Sequence, residues 1–145
     1  MDIKKYSSNS LSFIGDAVYT LHVREFFIES KYQQSNKLQY LCNKLNSAKG
    51  QMKVFDYLNE KGYFTQEELD VYKRGRNNIR HIPKNGDKHS YEEASGLEAI
   101  VGYLYLTDKK RLEKLFKEIF NGVIDYEWLS IWQEFIYWSL TFRSY

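Results

Sequence analysis

Leu11-Ser12-Phe13-Ile14-Gly15-Asp16-Ala17-Val18-Tyr19 sets an acid inside an apolar helix. Phe13, Ile14, Ala17, Val18 and Leu21 recur at the i, i+3, i+4, i+7 spacing that predicts a helix with a broad apolar stripe. Asp16 falls in that stripe, where an ionised carboxylate is costly unless it is paired, hydrogen-bonded or bound to a metal. Gly15 beside it costs a helix about 1 kcal/mol against alanine, which suggests a close approach to the backbone at that point. For one such position the ordinary reading is an Asp on the helix's polar seam. A second helix with the same oddity shifts the balance.

That second helix is predicted over Ser90-Tyr91-Glu92-Glu93-Ala94-Ser95-Gly96-Leu97-Glu98-Ala99-Ile100-Val101-Gly102-Tyr103-Leu104-Tyr105-Leu106. Ser90 followed three residues later by Glu93 has the form of a capping box and marks the expected start. Glu98 lies in an apolar, small-residue run, with Ser95 and Gly102 on its own face. Two lone acids on two apolar helices, if side by side, make an oxygen-rich site for a hard cation. Mg²⁺ typically binds through one or two carboxylates together with waters and substrate phosphate.

Length and composition narrow the classes. A chain of 145 residues is most simply one domain and can bury a core without staples. Its one cysteine, Cys42, has no internal partner and sits among Leu38, Leu41 and Leu45 as a small core residue. With no cleavable leader pattern at the N-terminus, cysteine usage points to a reducing cytoplasm. His22, His81 and His89 are scattered, which argues against a structural zinc site, and no apolar run approaches a membrane span. The net charge of +2 does not announce a nucleic-acid binder, but the distribution of charge is more informative.

In chain order, Ser7-Ser8-Asn9-Ser10 offers caps for the Asp16 helix, expected to reach about Phe27. Ser35 or Asn36 can cap a second helix with Leu38, Leu41, Leu45, Ala48, Met52, Phe55 and Leu58 at helical spacing, breaking at Gly50 and ending at Gly62. Thr65-Gln66-Glu67-Glu68 is a capping box for a short helix through Leu69 and Tyr72. Residues 73–89 hold six Lys or Arg against one Asp, and Gly75, the Asn residues and Pro83 predict a loop from about Gly75 onward. Such a loop is ordinarily a solvated connection. Because it leads into the Glu98 helix, and Lys, Arg, Asn and backbone amides bind phosphates, contact with a nucleic-acid backbone is the preferred reading.

Thr107 or Asp108 is expected to cap an amphipathic helix with Leu112, Leu115, Phe116, Ile119 and Phe120, closed by Gly122, with Lys109, Lys110, Arg111, Lys114 and Lys117 on a wet face. From Val123 on, the chain carries Trp128, Trp132 and Trp138 with Tyr126, Phe135, Tyr137, Phe142 and Tyr145. Trp128, Trp132, Phe135 and Ile136 fit a further helix, and such aromatic weight suits core or interface packing. No repeat or strand pattern appears, so the expected fold class is all-α, one domain over 1–145.

Asn9 to Val18 resembles the signature helix of the ribonuclease III family, Glu-x-x-Glu-Phe-Leu-Gly-Asp-Ala/Ser-Val. Leu97 to Leu106 resembles that family's second catalytic segment, Phe-Glu-Ala-Leu-Ile-Gly-Ala-Ile-Tyr-Leu. Both motifs in the right order, joined by Arg74-Gly75-Arg76-Asn77 and Pro83-Lys84-Asn85, are similar to Mini-III, the short branch without a double-stranded RNA-binding domain. The resemblance covers roughly 8–120. Asn9, Ser12 and Ser95 stand where the ordinary family pattern has acids, a reduction the Mini-III branch largely shares, and only Asp16 and Glu98 remain of the usual catalytic group.

The resemblance implies a ribonuclease III endonuclease-domain fold and a homodimer, with the signature helices near the two-fold axis and Phe13 packed into the partner. It implies Asp16 and Glu98 as catalytic residues and ligands of Mg²⁺, with Mn²⁺ as substitute, cutting double-stranded RNA to leave 5′-phosphate and 3′-hydroxyl ends. The implied substrate is the duplexed end of precursor large-subunit (23S) ribosomal RNA, with a ribosomal protein on that RNA as a further partner. A duplex would be gripped through phosphates and 2′-hydroxyls across the shallow minor groove, and the candidates for the grip are Arg74, Arg76, Asn77, Asn78, Arg80, Lys84 and Asn85. The rival reading is a non-catalytic RNA-binding or ribosome-assembly protein that keeps the fold without the chemistry. A histidine-aspartate phosphohydrolase is disfavoured because the chain has no His-Asp dipeptide.

Overall fold

One helix of this chain is buried on nearly every side, and the others are arranged around it. The computed structural model describes residues 3–29, 35–77 and 82–125. Trp128, Trp132, Phe135 and Ile136, and the helix expected there, lie outside the described residues. After a 3-10 turn at Ile3–Lys5 come α1 (Ser8–Ile28), α2 (Ser35–Asn46), α3 (Ala48–Glu60), α4 (Gln66–Asn77), α5 (Lys88–Thr107) and α6 (Lys109–Asp125). The described residues contain no strand, so the all-α expectation holds. Among them, no helix is long and apolar enough to cross a membrane.

The buried element is α5, which packs against α1, α3, α4 and α6. Its buried positions, Ala94, Gly96, Leu97, Ala99, Ile100, Val101, Gly102 and Leu104, run round most of the helix, as expected of a core helix rather than an amphipathic surface one. Leu97 and Ile100 are fully enclosed, each worth about 1.5–3 kcal/mol of apolar transfer. Small residues let neighbours in: a Cβ on Gly96 would strike the Tyr72 ring of α4, and one on Gly75 would lie 2.6 Å from Ala99 Cβ. Tyr72 in turn stacks on Phe55 of α3, ring centroids 3.8 Å apart and nearly parallel. Across α1 and α6, His22 stacks on Phe116 at 4.1 Å and Phe26 on Phe120 at 4.2 Å. Cys42 is buried in the core as expected.

The caps show which local readings survive. Ser7 caps α1 through the Ser10 amide. Thr65 and Glu68 form the reciprocal capping box, with Glu68 N donating to Thr65 Oγ1 at 3.1 Å and Thr65 N to Glu68 Oε1 at 3.0 Å. Asp108 caps α6 through the Arg111 amide. The break in the second helix falls at Ser47, whose hydroxyl caps α3, rather than at Gly50. Gly50 lies within the first turn of α3, at a position where a side chain would overlap the Lys44 carbonyl. Gly62, at φ +67°, ends the segment in the left-handed conformation that favours glycine.

Several boundaries differ from the sequence pattern. α4 runs through Gly75 to Asn77, and Gly75 is a close-contact position within it, where an added Cβ would lie 3.1 Å from the Ser95 carbonyl oxygen of α5. α5 starts at Lys88 with Asp87 as its cap: Asp87 accepts from the His89 amide and from the Ser90 hydroxyl. Glu93 is therefore released from capping and turned inward. Gly122 is buried within α6 instead of closing it. Arg111 leaves the wet face to form a two-point ion pair with buried Glu68, at 2.8 and 2.9 Å, and donates to the Tyr63 carbonyl, tying α6 to α4.

Candidate active site

On α1 the buried face carries Leu11, Gly15, Val18, Tyr19, Val23 and Phe27. The apolar stripe read from the sequence is thus wider than what the single chain covers. Phe13 and Leu21 are 83% and 53% exposed, Ala17 between them is also exposed, and Asp16 opens to solvent at the edge of this strip.

Opposite Asp16 stands Glu98 of α5, half-buried. Backbone contact holds the two helices together. A Cβ on Gly15 would overlap the Glu98 carbonyl oxygen, and one on Gly102 would overlap the Leu11 carbonyl oxygen. The close approach foreseen at Gly15 is therefore that of a second helix. Burial and then the negative charge of Asp16 push the Glu98 carboxyl up to about 7, against the lowering effect of a hydrogen bond from Gln51. Both acids singled out in the sequence thus face one site, with electrostatics that favour a cation.

Gln51 was not singled out by the sequence pattern. From the first turns of α3 its Nε2 donates to Glu98 Oε1 at 3.0 Å and to the Asn46 carbonyl at 3.2 Å. Both partners are acceptors, which assigns the nitrogen end of the amide to them. Gln51 Oε1 and Asn46 Oδ1 are buried and have no hydrogen-bond donor among the described residues. Fully buried Tyr19 donates to the Leu45 carbonyl at 2.9 Å, and burial together with the Glu98 charge pushes its phenol above the ordinary range. The available signal for Gln51 was its position three and four residues before Val54 and Phe55, a polar residue in the buried stripe of α3.

Ser12 and Ser95, which stand at acid positions of the family pattern, form a polar chain across three helices. Ser12 Oγ donates to the Ser95 carbonyl at 2.9 Å, and Ser95 Oγ donates to the Gly75 carbonyl at 3.2 Å. Both hydroxyl protons are thereby committed to main-chain acceptors.

Among the described residues, no group of three or more His, Cys, Asp or Glu is gathered to hold a metal. The donor set is the two carboxylates of Asp16 and Glu98. It fits Mg²⁺ or Mn²⁺ completed by water and phosphate, and does not fit a four-ligand structural zinc.

Arg74, Arg76 and Asn77 are exposed at the C-terminal end of α4, and Lys84 and Asn85 in the turn closed by the Gly86 amide on the Pro83 carbonyl at 2.7 Å. Asn78 and Arg80 lie outside the described residues. Arg76 and Lys88 both approach the half-buried Glu92 carboxylate, at 3.8 and 3.7 Å, loose pairs whose basic partners are exposed and which contribute little.

A family model described as the ribonuclease III domain matches residues 9–109, a span that includes both acids, the serine chain and the basic segment. The chain belongs to the ribonuclease III family of endoribonucleases. Its relatives narrow this to the Mini-ribonuclease 3 branch. The chain is 40% identical over 123 residues to the Mini-ribonuclease 3 of Staphylococcus aureus, covering 83% of this chain and 92% of that one. It is 37% identical over 117 residues to that of Streptococcus pneumoniae, covering 79% and 91%. A solved structure of a Fusobacterium nucleatum protein superposes with a TM-score of 0.73 at 29% identity, covering 83% of this chain and 97% of that one.

Proposed function

We propose that this endoribonuclease cuts double-stranded RNA as a homodimer, using Mg²⁺ held by Asp16 and Glu98, in the cytoplasm. The observation that carries the reading is the pairing of these two carboxylates across α1 and α5, with Glu98 pushed up to about 7 by burial and by its neighbour's charge. A divalent cation bound there would supply Lewis acidity to the scissile phosphate and to the attacking water. The protein's own contribution is to hold the two acids at a fixed separation through the Gly15 and Gly102 contacts, so that little reorganisation accompanies binding. Hydrolysis would leave a 5′-phosphate and a 3′-hydroxyl.

The exposed strip of Phe13, Ala17 and Leu21 is the surface for a second copy, with Phe13 packing at the two-fold. Arg74, Arg76, Asn77, Lys84 and Asn85, together with Asn78 and Arg80, would grip phosphates and 2′-hydroxyls of the duplex. The substrate implied by the family resemblance is the duplexed end of precursor large-subunit ribosomal RNA, with a ribosomal protein on the RNA as accessory partner.

The test is cleavage of a long, end-labelled RNA duplex with and without Mg²⁺ by the wild type, Asp16→Asn and Glu98→Gln. Metal-dependent cuts by the wild type and none by either variant support the two-carboxylate nuclease. Duplex binding without cleavage, even of a large-subunit ribosomal RNA precursor stem, would hand the chain to the assembly-factor reading.

A further inference from the structure

We propose that Gln51 is the positioning residue of the metal site: its side-chain amide, braced on the Asn46 carbonyl, holds Glu98 in the orientation that binds the cation. This role rests on the reading of Asp16 and Glu98 as metal ligands.

A glutamate side chain must give up most of its torsional freedom to act as a ligand, an entropic cost that falls on binding if the side chain is not ordered beforehand. Here the ordering is done beforehand. Gln51 Nε2 binds Glu98 Oε1, and among the described residues Oε2 takes no hydrogen bond, so one oxygen is anchored and the other left open. The anchor is itself fixed: Gln51 is 2% exposed, and the same Nε2 bonds to Asn46 at the end of α2. The turn between α2 and α3 sets that geometry, because the Ser47 hydroxyl accepts from the Gly50 amide and Gly50 lies against the Lys44 backbone.

A structural glutamine would satisfy both ends of its amide. Gln51 does not: Oε1 is buried without a donor among the described residues, a destabilising condition that a methionine of similar shape would avoid. The position keeps a polar group whose useful end points at Glu98. Partners that orient a metal ligand typically change metal affinity 10–100-fold when removed.

The experiment uses the full chain with Gln51→Met and Gln51→Asn. The first keeps shape without a donor; the second keeps the amide but is one methylene too short to bridge Asn46 and Glu98. Three quantities are measured: Mn²⁺ affinity by calorimetry, the melting temperature without metal, and duplex affinity in a chelator. The expected result is Mn²⁺ binding weakened about 10–100-fold in both variants, with melting within a few degrees of wild type and unchanged duplex affinity. Folded variants that bind Mn²⁺ within twofold of wild type overturn the role. Loss of the folded state in both also overturns it, by placing Gln51 among the core residues. A wild type that binds no Mn²⁺ removes the metal site itself, and Gln51's role with it.

Discussion

Gly15 and Glu98 meet through their backbones, with no room for a side chain between them: a methyl group on Gly15 would overlap the Glu98 carbonyl and stand 2.9 Å from the Gly102 nitrogen. Two effects compete in Gly15→Ala. Alanine favours the helix by about 1 kcal/mol, whereas overpacking against rigid backbone costs about 1–3 kcal/mol or more. The overlap is with main chain, which cannot turn aside, so destabilisation by about 2 kcal/mol is expected from urea unfolding, with cleavage lost as α1 and α5 separate. A variant as stable as the wild type would falsify the close approach.

Phe13→Ala separates assembly from folding. A side chain 83% exposed in the single chain contributes little to monomer stability, yet an aromatic anchor at the centre of an interface commonly costs 2 kcal/mol or more when truncated. Sedimentation should show dimer dissociation at least about tenfold easier, while thermal unfolding of the monomer is nearly unchanged. An unaltered dimer removes Phe13 from the two-fold.

Glu93 makes stability depend on pH. Burial and the facing Asp56 carboxyl of α3 raise its proton affinity, opposed by His89 on its own helix and Arg76 of α4. Its Oε2 is buried without a donor among the described residues. Because the folded chain holds this proton more tightly than the unfolded one, the stabilisation is complete at low pH and is lost as pH rises through the raised value. Unfolding without metal, followed between about pH 5 and 8, should show stability falling with pH. Glu93→Gln, which supplies a permanent donor, should flatten that decline by about 1–2 kcal/mol. A wild-type profile that rises over this range contradicts the assignment.

Arg76→Ala together with Lys84→Ala should weaken duplex binding and flatten its salt dependence. Each phosphate neutralised on a duplex contributes about 0.9 to the slope of log affinity against log salt, so a loss of about 1–2 is expected. A slope equal to the wild type's takes these two residues off the binding surface.

Much of this architecture is written in the pattern of the chain. Asp16 and Glu98 stood out because an acid in an apolar helix is expensive, and the Thr65–Glu68 box was legible because both of its halves are local. The misreadings share a cause. Gly75 and Gly122 look like helix ends, but each is a small residue buried within a helix, and at Gly75 the partner is more than twenty positions away on α5. Ser90 and Glu93 imitate a capping box because the motif records spacing alone, while Asp87, three residues before Ser90, takes the cap. Gln51 is invisible to a periodicity count, which ignores polar residues, and its significance appears only when Glu98 of a distant helix is brought to it.

The Ser12–Ser95–Gly75 chain has a consequence for measurement along a substrate. It bolts the end of α4, where Arg74 and Arg76 emerge, to the two helices that bear the acids. Any group seated on that end stands at a set offset from the carboxylates, whatever the sequence of the molecule being held. The domain is in this sense a caliper, whose span is defined by helix packing and not by the reach of a loop.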